Sequence, residues 1–434
     1  MSCNKVKVVF LTKYASFLAP ARAVKYFNLV DFLSDYFECV VISPNEPNID
    51  KDNLSSKKVS YIWYYYPGYL LRKVYYKVRN ADKRSSETKK TFNNNKLFLK
   101  KIFKKMSCLA FPDAYLDTLP ISFVLGFCCI IKSKSPVVLV AGGYPFSNFF
   151  SGMLLKSIFG HRVRFVVEFR DPFVNNPLNK VGRNVAFLRA YFERILMSKA
   201  DEVWIYRGWF PLGLNYFSDK YPEYSDKVYE LPYSGYDESI FSYTKEKKSK
   251  KIKFVHAGNF YGGDYSPVNF FKALARVKDK GFSEFEVFFY GGFSDEYMSI
   301  ARDLKLEEHV SYHGYIPYAD VGKKLIDADV LLWIAGKSIS YSDNLPSKIF
   351  DYIGASVPIM ALLPEGLSKD FAVEHEIEFL SDTSDVDDIE RCINEAVSKF
   401  NEGELVTSKR NTRIYSYGYL TEFIHDRINK LASK

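Results

Sequence analysis

Two carboxylates and a helix start stand close together in residues 338–362, SISYSDNLPSKIFDYIGASVPIMAL. Asp343 lies in a polar loop, and Asp351 follows one turn into a helix that Pro346 opens. The N–H groups at a helix N-terminus form a ready anion site, and Lys348 adds a positive charge to this one. These N–H groups belong to Leu345, Ser347 and Lys348. A nucleotide sugar requires a phosphate site between two groups that accept hydrogen bonds from sugar hydroxyl groups. The alternative interpretation of this segment is a helix cap at Asp343 and a surface carboxylate at Asp351.

Other kinds of chemistry have little support in the sequence. The six histidines include no pair with zinc-ligand spacing, and the six cysteines follow no disulfide or zinc-finger pattern. No G-x-S-x-G or Walker motif is present, and the acidic run 385–388 is expected to cap a helix rather than hold a metal. His256 lies within an apolar strand and is expected to be packed rather than catalytic. We therefore expect no metal and no cofactor.

The elements that must position these residues are strands and helices in two successive series. Apolar runs such as KVKVVFLT (5–12) and PVVLVAGG (136–143) alternate with helical segments over residues 1–240. After a basic linker the pattern restarts over residues 250–410, and residues 411–434 are expected to form a helix that packs on the first domain. The pattern predicts an α/β fold with two Rossmann-like, doubly wound domains facing across a cleft. Ligands of such sheets bind at the carboxyl ends of the strands.

The charge is concentrated in one part of the chain. The formal net charge is +9, whereas residues 71–106 hold thirteen Lys/Arg and two acids, a local charge of +11. An aromatic run, YIWYYYPGYLL (61–71), precedes them, so residues 60–115 read as a basic aromatic insertion in the first domain. The lysines expected on one face of a helix there are Lys100, Lys101, Lys104 and Lys105.

Three interpretations of this insertion remain open. It suits an anionic membrane surface, it could bind nucleic acid through stacked aromatics and phosphate contacts, or it is a solvated loop without a partner. We favour the membrane and expect no nucleic-acid partner. The sequence lacks a twenty-residue apolar run, and its N-terminus reads as a strand rather than a signal peptide. The expected location is cytoplasmic, peripheral on the inner face of the cell membrane.

Several segments together resemble one family of enzymes. Residues 338–362 resemble the carboxylate-x7-carboxylate motif of retaining GT-B glycosyltransferases of the family-4 type, in which both acids are usually Glu. The end of this segment, PSKIFDYIGASVPIMA, is similar to the P-S-K-x-x-E-Y form of many bacterial members. Residues 143–173 resemble the family's S-x-P-P turn and F-R-D-P-W strand end, with Phe173 in place of Trp. Residues 231–241 and 253–274 resemble the segments that close the N-terminal domain and open the C-terminal domain. The resemblance covers most of the chain outside the insertion.

This resemblance implies a donor site in the second domain. Asp343 would hold the hydroxyl groups of the donor sugar, and Asp351 would accept hydrogen bonds from the ribose. Lys348 and the backbone after Asp343 would hold the diphosphate, and Gly258 would let its loop approach the phosphates without a Cβ clash. Tyr315 and Ile316 would border the base. The implied donor-binding residues are Gly258, Asn259, Tyr315, Ile316, Asn344, Leu345, Lys348 and Asp351.

In the first domain, Arg170 and Asp171 stand where relatives often carry a His-acid pair near the reacting carbon. With Asp343 they are the implied catalytic residues, and Arg170 would balance charge on the leaving phosphate or the acceptor. The alternative is a buried Arg170–Asp171 ion pair that orients its loop. Residues 259–265 lack the Arg and Lys that clamp the diphosphate in many relatives. Arg22 is a further implied cation, for the phosphates or the acceptor.

The resemblance therefore implies a glycosyltransferase that moves a sugar from a nucleotide diphosphate sugar to a glycan or lipid-linked glycan acceptor with retention of configuration. The nucleotide sugar is a substrate and not a cofactor, and the setting is bacterial surface polysaccharide biosynthesis. One alternative is a catalytically weak GT-B scaffold protein, which the missing basic residues and the two Asp-for-Glu changes favour. The other is a nucleotide-sugar epimerase on the same fold, which needs neither an acceptor nor a membrane.

Overall fold

Two units divide the chain, one formed by Met1–Leu231 with Thr421–Lys434 and the other by Pro232–Leu420. The structure is a computed structural model. The described residues are 5–13, 21–45, 58–70, 111–113, 115–143, 145–170, 172–174, 181–208, 214–233, 235–244, 250–260, 265–337, 345–407 and 411–434, with the side chains of 21–25, 27 and 214 excepted.

A parallel sheet forms the centre of the first unit. Its strands are β1 (Lys7–Leu11), β2 (Glu38–Pro44), β3 (Ser60–Tyr64), β4 (Val137–Gly143), β5 (Val163–Phe169), β6 (Glu202–Tyr206) and β7 (Val228–Leu231). They lie in the order β3-β2-β1-β4-β5-β6-β7, and every neighbouring pair is parallel. Every residue of β4 is buried, as expected of a parallel strand covered on both faces. The strand order reverses between β1 and β4, which makes their carboxyl ends the topological switch point.

Helices cover this sheet. They are α1 (Ala21–Leu33), α2 (Leu119–Ile131), α3 (Ser147–Phe159), α4 (Arg183–Lys199) and α5 (Leu214–Lys220). The core is apolar and strongly aromatic, with Phe146, Phe149 and Phe173 in mutual ring contact. Phe173 fills this core and is almost wholly buried, so that an aromatic residue at this position serves packing.

The second unit repeats the plan with six strands. They are β8 (Ile252–Ala257), β9 (Phe285–Tyr290), β10 (Val310–Tyr312), β11 (Val330–Ile334), β12 (Ile359–Leu362) and β13 (Phe379–Ser381). Their order is β10-β9-β8-β11-β12-β13, all parallel, with the switch point between β8 and β11. Its helices are α6 (Val268–Asp279), α7 (Asp295–Asp303), α8 (Tyr318–Ile326), α9 (Lys348–Ala355), α10 (Leu367–Glu374) and α11 (Val386–Glu402). The last helix, α12 (Tyr417–Ala432), begins in this unit and ends in the first.

The predicted fold class is confirmed, because both units are α/β units with doubly wound parallel sheets. The acidic run before α11 also caps a helix as expected, since the Asp385 carboxylate accepts hydrogen bonds from the N–H groups of Asp387 and Asp388. The short helices α5, α7 and α10 were not predicted. The aromatic run at 61–71 was assigned to the insertion, whereas residues Ser60–Tyr64 form β3, an edge strand of the sheet. Within the described residues, no helix is long and apolar enough to cross a membrane.

Candidate functional site

The carboxyl ends of the strands in the second unit carry most of the predicted donor site. Gly258 directly follows β8, Gly291 directly follows β9, and Tyr315 lies three residues beyond β10. Lys348 is the first residue of α9, the helix that follows β11. These residues come from distant parts of the sequence, and the parallel sheet brings them to one edge.

Lys348 meets Gly258 at the switch point between β8 and β11. A Cβ placed on Gly258 would lie 3.3 Å from Lys348 Cδ and 3.5 Å from its Nζ. The Lys348 ammonium donates to the Tyr265 hydroxyl over 3.1 Å and lies 3.3 Å from Nε2 of His256. No carboxylate among the described residues pairs with it, and its hydrogen-bond partners there are neutral groups.

His256 holds its neutral form in this arrangement. Its Nδ1 lies 2.9 Å from the Leu332 carbonyl oxygen, which can only accept, so Nδ1 carries the proton and Nε2 offers a lone pair to Lys348. Burial and the charge of Lys348 lower the pKa of His256 well below its usual value. Burial likewise lowers the pKa of Lys348 to about 7. The site therefore holds a mostly buried cation that a bound anion would stabilise.

Two glycines let backbone segments meet beside this lysine. Gly258 has φ +151° and Gly291 has φ +116°, conformations that favour glycine. A Cβ on Gly291 would lie 2.4 Å from the Gly258 carbonyl oxygen, closer than real Cβ atoms come to other atoms. The loops after β8 and β9 are thus in direct backbone contact at the mouth of the site.

Asn259 and Tyr315 line the same edge of the sheet. The Asn259 side-chain oxygen accepts a hydrogen bond from the Gly292 N–H over 2.6 Å, and the Phe260 N–H donates to the Gly292 carbonyl over 3.0 Å. A Cβ on Gly292 would lie 3.1 Å from the Tyr315 hydroxyl, and the Tyr315 side chain is largely exposed. Leu345 is buried and Ile316 is partly buried in the apolar core, so their side chains serve packing.

Asp351 is buried in the first turn of α9. Its Oδ1 accepts a hydrogen bond of 2.9 Å from the Tyr318 hydroxyl at the start of α8. Burial, and next the charge of Asp351, raise the pKa of Tyr318 well above its usual value, which keeps that hydroxyl a donor. The ribose-binding role of Asp351 stays a prediction, and the structure adds Tyr318 as the group that orients the carboxylate.

A second cluster lies at the carboxyl ends of the strands in the first unit. Arg170, directly after β5, donates from Nη2 to Glu168 over 2.6 Å and from Nη1 to Thr12 over 3.4 Å. The Tyr206 hydroxyl donates to the other Glu168 oxygen over 2.6 Å. Burial alone would lower the pKa of Arg170, but the Glu168 carboxylate raises it on balance. The guanidinium lies 3.6 Å from the centre of the Tyr26 ring.

Gly142 in β4 makes room for this ion pair. A Cβ there would lie 2.6 Å from Arg170 Nη2 and 2.9 Å from a Glu168 oxygen. The side chain of Arg170 therefore passes over β4 to reach Thr12, at the switch point between β1 and β4. The carboxylate that Arg170 contacts among the described residues is Glu168, and Asp171 lies outside them.

Several predicted residues also lie outside the described residues. They are Asp171, Asp343, Asn344, Lys100, Lys101, Lys104 and Lys105, together with the side chain of Arg22. The roles given to them stay predictions. Sequence reasoning missed Glu168, Tyr206, Tyr265 and Tyr318, and it gave His256 no partner. A signal existed for two of them, because Glu168 and His256 are polar residues inside otherwise apolar strands, where burial requires a partner.

Comparisons with known proteins were made for sequence and for structure. No family model matches the chain, and no curated protein matches its sequence. A glycosyltransferase from Rickettsia africae has a similar structure, with a TM-score of 0.65 at 12% identity over 99% of each chain. Sucrose-phosphate synthase from Thermosynechococcus elongatus gives a TM-score of 0.62 at 11% identity over 99% of this chain and 100% of that one. Anabaena HepE, solved with UDP and glucose, gives 0.62 at 12% identity over 98% and 100%. Along its whole length, this chain has the fold of the GT-B glycosyltransferases.

Proposed function

We propose that the protein is a retaining glycosyltransferase that moves a sugar from a nucleotide diphosphate sugar to a glycan acceptor. The observation that carries this proposal is Lys348, a mostly buried cation at the switch point of the second unit whose hydrogen-bond partners among the described residues are neutral groups. Gly258 covers it with bare backbone, so a diphosphate can approach without meeting a side chain. HepE, of similar fold, was solved with UDP and glucose, which fits a nucleotide donor.

The roles within the donor site follow from this assignment. Lys348 and the N–H groups at the start of α9 bind the diphosphate, and Asp351, oriented by Tyr318, accepts hydrogen bonds from the ribose. Tyr315 and the backbone around Ile316 and Asn259 border the base. Asp343, assigned from its place in the sequence motif, holds the hydroxyl groups of the donor sugar.

The reaction transfers the sugar with attack and departure on the same face. The acceptor oxygen forms the new bond to the anomeric carbon while the bond to the phosphate oxygen breaks and its electron pair stays with the diphosphate. The acceptor proton passes to that departing oxygen, so no protein nucleophile is required. Lys348 stabilises the charge that develops on the diphosphate.

Arg170, in the first unit, is assigned a positioning role. Glu168 already balances its charge, which favours holding the ends of β1, β4 and β5 in place over direct binding of a phosphate. The acceptor is proposed to be a lipid-linked glycan of bacterial surface polysaccharide, reached at the inner face of the cell membrane. WaaB, a lipopolysaccharide outer core galactosyltransferase, has a similar structure with a TM-score of 0.55, which fits this class of acceptor.

A thermal-shift panel with UDP, GDP, TDP, CDP and ADP, each with and without divalent metal, tests the donor site. One nucleotide is expected to raise the melting temperature of the protein without metal, and Lys348→Met is expected to abolish that rise. The matching nucleotide sugars then enter a transfer assay with lipid-linked acceptors, in which release of free nucleotide alone would indicate hydrolysis. No shift with any nucleotide would contradict the donor site and favour the scaffold alternative.

A further inference from the structure

The two central strands of the second unit stop pairing before they end. Strands β8 and β11 pair over two residues each, and no further than Val255 and Leu331. Beyond this point, residues 256–257 of β8 continue beside β9, and residues 332–334 of β11 continue beside β12. In the first unit, by contrast, β1 and β4 pair along the whole length of β1. The space between the two strand ends is called here the β8–β11 gap, and it lies at the switch point of the second unit.

A tyrosine hydroxyl takes the place of the next bond in this ladder. In the register of β8 and β11, that bond would run from the Ala257 N–H to the Leu332 carbonyl. Instead, the Ala257 N–H donates to the Tyr352 hydroxyl over 2.9 Å, and this hydroxyl lies 3.3 Å from the Leu332 carbonyl oxygen, to which it can donate. Tyr352 is fully buried and lies on α9, one turn after Lys348. The hydroxyl therefore fastens α9, the helix that carries Lys348, to both strands.

His256 also lies in the β8–β11 gap, and its ring is fixed there. It is fully buried, and its Nδ1 donates to the Leu332 carbonyl over 2.9 Å. Phe260 covers the ring, with 4.4 Å between the ring centres and 16° between the ring planes. These contacts fix both the place of the ring and its tautomer. Nε2 therefore has a lone pair, and it lies 3.3 Å from the Lys348 ammonium.

Packing alone does not require an imidazole in the gap. The Tyr352 hydroxyl is within reach of the same Leu332 carbonyl, so an apolar ring in place of His256 would leave that oxygen with a donor. A second buried nitrogen costs free energy unless it has a partner, and the partner of Nε2 is Lys348. Nε2 therefore serves the lysine and not the strands.

We propose that His256 is a positioning residue, whose Nε2 lone pair holds the Lys348 ammonium at the β8–β11 gap in the place where it meets the diphosphate of the donor. The inference rests on the proposed donor site and adds the group that keeps its cation in place. Of the three ammonium hydrogens, Nε2 and the Tyr265 hydroxyl each take one among the described residues, and the third is left for an anion. His256 contacts Lys348 and acts on the donor through it.

His256 also affects the pH range in which Lys348 is charged. Burial lowers the pKa of Lys348 to about 7. The titratable groups around it in the described residues are His256 on β8, Tyr265 before α6, and Asp351 and Tyr352 on α9, whereas β11 has none. The Tyr352 hydroxyl bonds to the strands, and the Asp351 carboxylate bonds to a hydroxyl of α8. An acceptor for an ammonium hydrogen favours the charged form, so loss of Nε2 should lower the pKa of Lys348 further.

Two measurements on the ligand-free full chain test the proposal. Histidine-selective nitrogen NMR should show His256, identified by the signal missing from His256→Gln, with a proton on Nδ1 and none on Nε2. Lysine-selective carbon NMR measures the pKa of Lys348, with Lys348→Met to identify the signal. His256→Phe keeps a ring on Phe260 but has no lone pair, and it should lower this pKa by about one unit. His256→Gln offers a side-chain oxygen in place of Nε2 and should restore most of the loss.

The affinity for UDP-glucose extends the test to the donor site. With the pKa of Lys348 lowered by one unit, His256→Phe should bind roughly fivefold more weakly than the original chain at pH 7 and roughly tenfold more weakly at pH 8. The alkaline decline in affinity should begin about one pH unit lower in this variant. A side chain that serves packing alone would weaken binding equally at every pH. Titration calorimetry over this pH range measures the difference.

Two control variants separate this role from packing. His309→Phe removes an imidazole whose Nδ1 also lies 3.1 Å from a strand carbonyl and whose ring packs on Phe285, but at the amino-terminal end of β10. It should leave the pKa of Lys348 and the affinity unchanged. Tyr352→Phe removes the hydroxyl from the gap, and it should lower the melting temperature but leave the alkaline decline at the same pH.

Three results would overturn the proposal: a proton on Nε2 of His256, an unchanged Lys348 pKa in His256→Phe, or an equal change of that pKa in His309→Phe. If His256→Phe does not fold, His256→Leu gives the same comparison, and the tautomer is measured on the original chain. A lack of UDP-glucose binding by the original chain would count against the proposed donor site instead, because the tautomer and the pKa are measured without a donor.

Discussion

The two units each place a buried cation at the switch point of a parallel sheet, but they balance its charge differently. In the first unit, Arg170 forms an ion pair with Glu168, and Tyr206 occupies the second carboxylate oxygen. In the second unit, Lys348 rests on the neutral imidazole of His256 and the hydroxyl of Tyr265. The first cation has a carboxylate partner in its own unit, whereas the contacts of the second among the described residues are neutral groups.

A cation at the switch point of a parallel sheet can therefore serve either the local structure or the binding of a ligand. A paired cation contributes to the local structure and would have to lose its partner to bind a ligand. A cation on neutral partners destabilises the free protein and is stabilised when an anionic ligand arrives. The comparison therefore supports the ligand-binding role proposed for Lys348 and the positioning role proposed for Arg170.

The largest expected effect comes from breaking the ion pair of the first unit. Glu168→Gln would leave the guanidinium of Arg170 buried without a counter-charge, and we expect the free energy of unfolding to fall by about 3–5 kcal/mol. Chemical denaturation measures this loss. The matched control is Glu230→Gln, which removes the exposed pair between Glu230 and Arg207 and should cost under about 1 kcal/mol. A loss at Glu168 no larger than at Glu230 would mean that the first cation is not satisfied by its unit.

The corresponding change in the second unit should affect binding rather than stability. Lys348→Met keeps the shape of the side chain, removes a mostly buried charge, and is expected to leave the melting temperature of the free protein unchanged or higher. The affinity for a nucleotide diphosphate sugar should fall by about 10–100-fold, since a charge-assisted contact is lost. Isothermal titration calorimetry measures this, with Lys399→Met on α11 as the control. Unchanged affinity would contradict the ligand-binding role.

The pH dependence of binding sharpens the comparison further. The pKa of Lys348 is about 7 in the free protein, and a bound diphosphate raises it, so binding takes up a proton above pH 7. Affinity should therefore fall as pH rises above 7, by at most about tenfold per pH unit. UDP-glucose is the suitable probe because its diphosphate does not titrate over this range. Calorimetry in buffers of different ionisation enthalpy counts the protons, and Lys348→Met should show no uptake.

The lowered pKa of Lys348 also determines how the stability of the ligand-free protein changes with pH. The pKa of Lys348 is lower in the folded than in the unfolded protein, so the unfolded chain binds more protons between about pH 7 and 10. The contribution of Lys348 to the free energy of unfolding should therefore increase with pH across this interval. A difference between the original chain and Lys348→Met that stays constant with pH would argue against the lowered pKa.

The smallest effect is expected from removing one hydroxyl group beside the ion pair. Tyr206→Phe deletes the donor to one Glu168 oxygen and leaves the bond to Arg170 intact, so we expect a loss of about 1–2 kcal/mol in the free energy of unfolding. Chemical denaturation of the Tyr206→Phe and Glu168→Gln variants gives the ratio of their losses in the free energy of unfolding. A loss equal to that of Glu168→Gln would show that Tyr206, and not Arg170, is the main partner of the carboxylate.

The periodicity of the sequence was sufficient for most of the fold. Apolar runs such as residues 136–143 and 163–169 correspond to β4 and β5 because strands buried on both faces leave an unmistakable pattern. The edge strand β3 was missed because SYIWY lies next to a highly basic segment and its aromatics suggested a surface function. The short helix α10 was missed because eight residues carry little periodic information.

The sequence predicted the parts of the candidate site that depend on the backbone, but not the contacts between side chains. The place of Lys348 follows from the helix N-terminus and that of Gly258 from the end of a strand. The contact of Arg170 with Glu168 did not follow, because the sequence analysis considered only the adjacent Asp171, which lies outside the described residues. The contact between Tyr318 and Asp351 depends on the packing of α8 on α9, which no spacing encodes.

The final helix has a consequence for the order in which the protein is made. Ile424, Ile428 and Leu431 of α12 are buried, and Arg427 donates to the buried Glu202 at the start of β6. The first unit therefore includes a segment that is synthesised after the whole of the second unit. Until α12 has left the ribosome, Glu202 lacks its arginine, so the first unit cannot be completed before the second has been synthesised.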